Sequence, residues 1–213
     1  MENKETDKQV AKYLLDIKAV ELQPNLPFTC ASGWKSPIYT DNRKTLSYPE
    51  VRNFIKKSFV DIIKNKYPDV ELIAGVATGA IACGALVADE LGLPMVYVRS
   101  SSKNHGLENQ VEGVCSFGQK TVVIEDLVST GQSSLKAVTA LRSQGCEVNA
   151  MLAIFTYGFP IAKESFDNSK CPLITLSNYN ALIDLALESG YITQSQLPAL
   201  LEWRSNPETW GRN

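Results

Sequence analysis

Glu125 and Asp126 stand side by side, and the next eight residues supply four hydroxyls, those of Ser129, Thr130, Ser133 and Ser134, around Gly131 and Gln132. A carboxylate pair accepts hydrogen bonds from the 2- and 3-hydroxyls of a ribose, and clustered hydroxyls donate to phosphate oxygens. The run therefore suits a ribose phosphate gripped at both ends. Such chemistry needs a rigid frame. The β-prone residues 121–124 read as a buried parallel strand, and Leu135, Val138 and Leu141 recur at helical spacing, which predicts a helix over 133–143 closed near Gly145. The loop then lies between a strand's carboxyl end and a helix's amino end, where uncapped amides and the positive end of the helix dipole attract anions. Gly131 lets the backbone come close to such an anion. A strand, an acidic turn and a Ser-capped helix with no ligand at all would use the same ingredients.

A second junction of this kind, Gly75-Val76-Ala77-Thr78-Gly79-Ala80, falls between a predicted strand at 71–76 and a predicted helix at 80–91. Its amides could hold a second anion, for which diphosphate is the natural candidate, or its small residues could serve only close packing. Because strand carboxyl ends share one edge of an open α/β sheet, the two loops are expected side by side. Residues 99–110 are polar, and Arg99, Lys103 and His105, the last the only histidine, could fold over a departing diphosphate. A solvated hairpin tip is the alternative. Near the amino terminus, Ile38-Tyr39 could offer backbone groups to a flat heterocycle and Arg43 could pair with a carboxylate; equally, this segment could be a plain β-hairpin with Pro37 at its edge.

The elements that must position these groups alternate along the chain. Residues 5–20 read as a helix with Val10, Tyr13, Leu14 and Ile17 on one face, broken by Pro24 and Pro27. A second helix over 49–66 carries the stripe Val51, Phe54, Ile55, Phe59, Ile62 and Ile63 and ends at Pro68. Strands are predicted at 71–76, 95–98, 111–117, 121–124, 148–156 and 173–176, with helices at 80–91 closed by Gly92, at 133–143, from about Ala181, and at 196–204. This alternation predicts an α/β fold, a central and mainly parallel sheet flanked by helices. The 213 residues are 44% hydrophobic and 21% charged, ordinary for one domain with a substantial core. A formal charge of −2 offers no broad basic field, so no nucleic-acid partner is expected. Residues 1–9 lack the apolar stretch of a secretory signal and no apolar run reaches bilayer-spanning length, so no membrane association and a cytoplasmic location are expected. Cys30, Cys83, Cys115, Cys146 and Cys171 are irregularly spaced, which argues against zinc and disulfide frameworks and for small buried hydrophobes.

Residues Thr121 to Ser134 resemble the phosphoribosyl-diphosphate signature of the type I phosphoribosyltransferases position by position: four apolar residues, an acidic pair, two apolar residues, then Ser-Thr-Gly and further hydroxyls. Phe28-Thr29, Ser32-Gly33, Lys35-Ser36-Pro37 and Tyr39 resemble the amino-terminal hood of the orotate phosphoribosyltransferase family, and the likeness covers nearly the whole chain. The resemblance implies a type I phosphoribosyltransferase fold with a small hood, a single domain over 1–213 in which 1–45 form the hood and first helix and 46–213 the core and C-terminal helices. It implies a Mg2+-dependent pentosyltransferase that joins orotate to phosphoribosyl diphosphate, giving orotidine 5'-monophosphate and diphosphate in pyrimidine (UMP) biosynthesis. Phosphoribosyl-diphosphate binding then falls on Arg99, Lys103 and His105 and on Glu125, Asp126, Leu127, Val128, Ser129, Thr130, Gly131, Gln132 and Ser133. Orotate binding falls on Ile38, Tyr39, Arg43 and Ser129, and catalysis on Lys103, Glu125 and Asp126. Mg2+ is expected to bridge substrate oxygens and water, with no direct protein ligand. A homodimer in which loop 99–110 closes over the neighbouring subunit's site is also implied.

The chain departs from some relatives. Ala31 and Thr78-Gly79 stand where those carry lysines, Ser100 stands where they have a lysine, and Phe155-Thr156-Tyr157-Gly158 lacks an arginine that meets the orotate carboxylate. The resemblance thus places more of the orotate and charge contacts on Ser129 and Arg43. Two other readings stay open. A type I enzyme for a purine or uracil would keep the signature, although the hood residues argue against it. A non-catalytic regulator would be expected to lose the loop charges or gain a basic surface.

Overall fold

The central strands are apolar on both faces, a pattern that requires a sheet covered by helices on both sides. In the computed structural model, which describes residues 4–29, 35–99 and 110–211, the chain begins with α1 (Lys4–Asp16), β1 (Val20–Leu22), β2 (Phe28–Thr29), β3 (Lys35–Ser36) and β4 (Ile38–Thr40). A 3-10 turn at Asn42–Ser47 leads into α2 (Pro49–Lys66), β5 (Leu72–Val76), α3 (Ile81–Leu91), β6 (Met95–Val98), β7 (Val111–Glu112) and β8 (Lys120–Val128). The chain closes with α4 (Gln132–Ser143), β9 (Glu147–Thr156), α5 (Pro160–Asn168), β10 (Leu173–Asn178), α6 (Tyr179–Glu188) and α7 (Leu197–Ser205). Six strands form one sheet in the order β10-β9-β8-β5-β6-β7, parallel throughout except for the antiparallel edge pair β6-β7. Alternate residues feed two cores. Ile73, Val122, Ile124 and Leu152 face the helices α1, α2, α3, α6 and α7. Leu72, Ala74, Val123, Met151 and Ala153 face α4 and α5.

From β5 the chain crosses to β6 on one side, whereas from β8 it crosses to β9 on the other, yet β5 and β8 are neighbours. The crevice beyond their carboxyl ends is therefore the topological switch point, where α/β sheets bind ligands. The residues ahead of α2 form two small ribbons, β1 paired with β4 and β2 paired with β3, both antiparallel. Among the described residues no helix is long and apolar enough to cross a membrane.

Several boundaries differ from the sequence reading. The first helix stops at Asp16 rather than 20, because Lys18 takes a positive φ of 54° and Val20 is drawn into pairing with Thr40. The strand predicted at 111–117 shrinks to Val111–Glu112, ended by Gly113 at φ 111°. The strand predicted at 121–124 extends to Val128, since β9 continues to pair with it through Val128 and Thr156; Glu125 and Asp126 thus lie inside a strand rather than past its end. Helix α5, begun by Pro160 at its first turn, was not anticipated. Cys83, Cys146 and Cys171 are buried and Cys115 half-buried, all free thiols, while Cys30 lies outside the described residues.

Candidate active site

The carboxyl ends of β5 and β8 open onto a cleft of about 320 Å3 lined by Val76, Ala77, Thr78, Gly79, Val98, Arg99, Glu125, Asp126, Leu127, Ser129, Thr130, Ser133 and Ala137. The two small-residue loops are thus side by side, as the parallel sheet requires. Helix α4 is entered through Gly131 at φ 81° and α3 through Ala80, and neither has a side-chain N-cap; at α3 the Ile81 amide already donates to the Thr78 carbonyl at 3.4 Å. A larger recess of about 800 Å3, between α2, α5 and β10, brings together none of these loop residues.

The acidic pair is asymmetric. Glu125 is buried, 5% exposed; its Oε2 accepts from Ser134 Oγ at 2.8 Å and its Oε1 from the Asp126 amide at 3.0 Å. Burial first, and then the charge of Asp126, push the Glu125 carboxyl up to about 8. Ser134 is 1% exposed and spends its hydroxyl on Glu125. The expectation that Ser134 donates to a phosphate is therefore corrected. Asp126 faces the loop after β5 so closely that a Cβ at Gly79 would overlap its carboxylate. A side chain at position 79 would have to displace that carboxylate.

The remaining motif residues divide. Leu127, Ser129, Thr130 and Ser133 line the cleft, whereas Val128 is fully buried and its carbonyl accepts from Thr156 Oγ1 at 3.0 Å and the Tyr157 amide at 3.2 Å. Its side chain belongs to the core. Gly131 is the N-cap of α4 and Gln132 its first residue, so the Gln132 amide stands at the start of that helix. Arg99 reaches the cleft from the end of β6, with Nη1 3.5 Å from Glu112 Oε1. Lys103 and His105 lie outside the described residues.

The amino-terminal ribbon meets this edge of the sheet. Asn42, 2% exposed, donates from Nδ2 to the Asp126 carbonyl at 2.6 Å, a tie across 84 positions of sequence. Ile38 is buried and its amide and carbonyl both bond Ser36 Oγ, which leaves less of its backbone for a heterocycle than the sequence suggested. Tyr39 is exposed and packs on Phe28, ring centroids 5.6 Å apart. Arg43 Nε is 2.7 Å from Asp41 Oδ1; the pair holds the Asp41 carboxyl below its usual range, and Asp41 raises the guanidinium in turn. Ala31, Ser32 and Gly33 lie outside the described residues. Sequence reading gave no role to Asn42, although Asp41-Asn42 opening a 3-10 turn after a strand is a local signal for a residue facing back on the sheet.

A family model described as the phosphoribosyl transferase domain matches residues 42–189. Orotate phosphoribosyltransferase of Porphyromonas gingivalis is 58% identical over 204 residues, 96% of this chain and 97% of that protein. That of Phocaeicola vulgatus is 59% identical over 97% of this chain and 98% of its own length. Among solved structures, orotate phosphoribosyltransferase from Aeropyrum pernix superposes with a TM-score of 0.74 at 28% identity, covering 86% of this chain and 99% of that one.

Proposed function

The chain belongs to the orotate phosphoribosyltransferase family, and on that premise we propose that it transfers the 5-phosphoribosyl group of phosphoribosyl diphosphate to orotate, releasing diphosphate and forming orotidine 5'-monophosphate for pyrimidine synthesis. What carries the reading is one convergence: an acidic pair, a ring of hydroxyls and two uncapped helix starts in the crevice between β5 and β8.

In this mechanism the 5-phosphate rests on Ser129, Thr130, Gly131, Gln132 and Ser133 at the start of α4. Asp126 holds the ribose hydroxyls from the front, with Glu125 behind it and tied to Ser134. The diphosphate lies along Ala77-Thr78-Gly79, and Arg99, Lys103 and His105 stabilise its charge as it leaves. Rupture of the C1–O bond runs ahead of attack by the orotate nitrogen, so the ribose becomes oxocarbenium-like, and no protein nucleophile is required. Orotate lies against Tyr39 and Ile38, with Ser129 and Arg43 supplying donors to its polar edge.

Among the described residues no three His, Cys, Asp or Glu side chains gather to hold a metal. Asp126, beside Glu125 at the cleft, would hold a Mg2+ through water, and such an ion would neutralise charge on the diphosphate. The acting unit is a cytoplasmic homodimer in which loop 99–110 serves the neighbouring subunit's site.

The test is consumption of orotate beside uracil, adenine, hypoxanthine and xanthine, each with phosphoribosyl diphosphate and Mg2+. Turnover of orotate alone is expected. Turnover of another base overturns the assignment of the hood, and tight phosphoribosyl-diphosphate binding without turnover replaces the enzyme by a regulator.

A further inference from the structure

The amino-terminal ribbon is held against the sheet edge from two directions. One tie is Asn42 to the Asp126 carbonyl. The other begins far away, in the last helix. Arg204 of α7 donates from Nε to the Tyr157 carbonyl at 3.2 Å, from Nη2 to the Gly158 carbonyl at 3.2 Å and from Nη1 to Asn180 Oδ1 at 2.7 Å. Its guanidinium also lies 5.8 Å from the centroid of the Tyr179 ring. Next to it, Trp203, 5% exposed, meets the Tyr157 ring edge-on at 5.3 Å. Tyr157 is thereby fixed at backbone and ring. Its amide bonds the Val128 carbonyl beside Ser129, and its hydroxyl donates to Thr40 Oγ1 at 3.1 Å. The tail touches the ribbon again at Gly211, where a Cβ would stand 3.1 Å from Lys35 Cβ.

We propose that Arg204 and Tyr157 are positioning residues for the base site: the C-terminal helix, through Arg204 and Tyr157, sets the distance between strand β4 and the Ser129 turn. This rests on the reading that Ile38, Tyr39 and Arg43 receive the base. The geometry supports it because Tyr157 is the residue that joins both walls of that site, β8 through its amide and β4 through its hydroxyl, while Arg204 satisfies the two carbonyls of the turn that aims it. A guanidinium can serve carbonyls of successive residues at once because its donors are held in a planar fork, which an ammonium group does not reproduce. The cleft on the phosphoribosyl side is lined by residues of β5, β6, β8 and α4 and the loops after the strands, with none of Tyr157, Thr40 or Arg204 among them.

Tyr157→Phe removes the hydroxyl and keeps the ring on Trp203. The KM for orotate is expected to rise about two- to tenfold, the range set by one net hydrogen bond, with kcat and the KM for phosphoribosyl diphosphate within about twofold of wild type. Thr40→Val reproduces the effect, Thr40→Ser does not, and the double variant Tyr157→Phe with Thr40→Val is no worse than either alone. Arg204→Ala raises the orotate KM about tenfold or more, and Arg204→Lys does not restore it. Hydrogen exchange reads the same tie without turnover: amides 38–41 exchange faster in Tyr157→Phe than in wild type. An unchanged orotate KM in Tyr157→Phe, or an equal rise in both KM values, overturns the proposal. If the wild type were to consume a base other than orotate, the functional reading would fail separately, and unaltered exchange at 38–41 would by itself overturn the tie.

Discussion

Gly79→Ala tests the placement of Asp126 more sharply than removing the carboxylate does. A Cβ at position 79 would overlap Oδ2 and Cγ of Asp126 and stand 2.8 Å from Oδ1. Ordinary contact needs roughly 3.5 Å, so the carboxylate must retreat by about 1 Å or more. The obstacle is the end of a side chain, and Gly79 is not among the glycines at positive φ, so the backbone accepts alanine. The fold should therefore persist, helped by a loss of unfolded-chain entropy of about 0.4–1 kcal/mol. A misplacement of about 1 Å in a reacting constellation costs on the order of a hundredfold in rate, or about 2.7 kcal/mol of transition-state stabilisation. The assay is steady-state orotate consumption with varied phosphoribosyl diphosphate, beside thermal unfolding. Expected are a midpoint at or slightly above that of wild type and kcat/KM for phosphoribosyl diphosphate lowered about a hundredfold. Combined with Asp126→Asn the losses should fall short of additive, since both act on one group. A Gly79→Ala enzyme within about threefold of wild type, with its midpoint not lowered, would refute the reasoning, because the ribose would then not depend on where that carboxylate points.

Asp126→Asn or Lys103→Ala should each lower turnover at least about tenfold with the fold intact, and mixing the two variants should restore up to about a quarter of wild-type activity if loop 99–110 serves the partner's site; no recovery on mixing would place each loop over its own site. Chelation by EDTA should abolish turnover and Mg2+ should restore it, whereas turnover surviving exhaustive chelation would remove the metal from the scheme. Burial and then the charge of Asp126 raise the Glu125 carboxyl from 4.5 to about 8, so the folded chain keeps a proton that the unfolded chain has lost. Its stabilising contribution is full below about pH 4.5 and is lost as pH rises through about 8. Glu125→Gln should therefore gain on wild type in urea midpoint as pH rises from about 5 to about 9, and a difference independent of pH would contradict this. Gly131→Ala places a Cβ at φ 81° and 2.8 Å from the buried Phe166 ring, and should cost about 2–4 kcal/mol in unfolding experiments; an unaltered urea midpoint would refute it.

What was legible in the sequence was whatever a local pattern controls. The alternation of apolar runs with helical stripes located β5, β6, β9 and α2 to within a residue or two, and Gly92 in the left-handed region closes α3 where a glycine was read as the stop. The acidic pair was found because its neighbours in sequence are also its neighbours in the cleft. Its internal division of labour was not, since Glu125 turns inward onto Ser134, nine positions away in the first turn of α4. The end of β8 was misjudged for a related reason: charges look like a strand's end, but β9 keeps pairing beside them. The ties of Asn42 to Asp126 and of Tyr157 to Thr40, 84 and 117 residues apart, have no local trace. Helix α5 did leave one, in Pro160 at its first turn with Ala162 and Phe166 on one face, which the apolar stripe alone was too short to bring out.

The edge pair β6-β7 has a consequence for how such a catalyst can diversify. The Arg99 amide bonds the Gln110 carbonyl at 2.8 Å, and Val98 lies opposite Val111. The two ends of the intervening segment are thus clasped to each other. Doubling the length of a segment closed in this way costs only about 0.6 kcal/mol of closure entropy. Insertions, deletions and grafts between 100 and 109 are accordingly cheap for the scaffold, and that interval is a cassette that evolution or an engineer can rewrite without shifting the register of any strand.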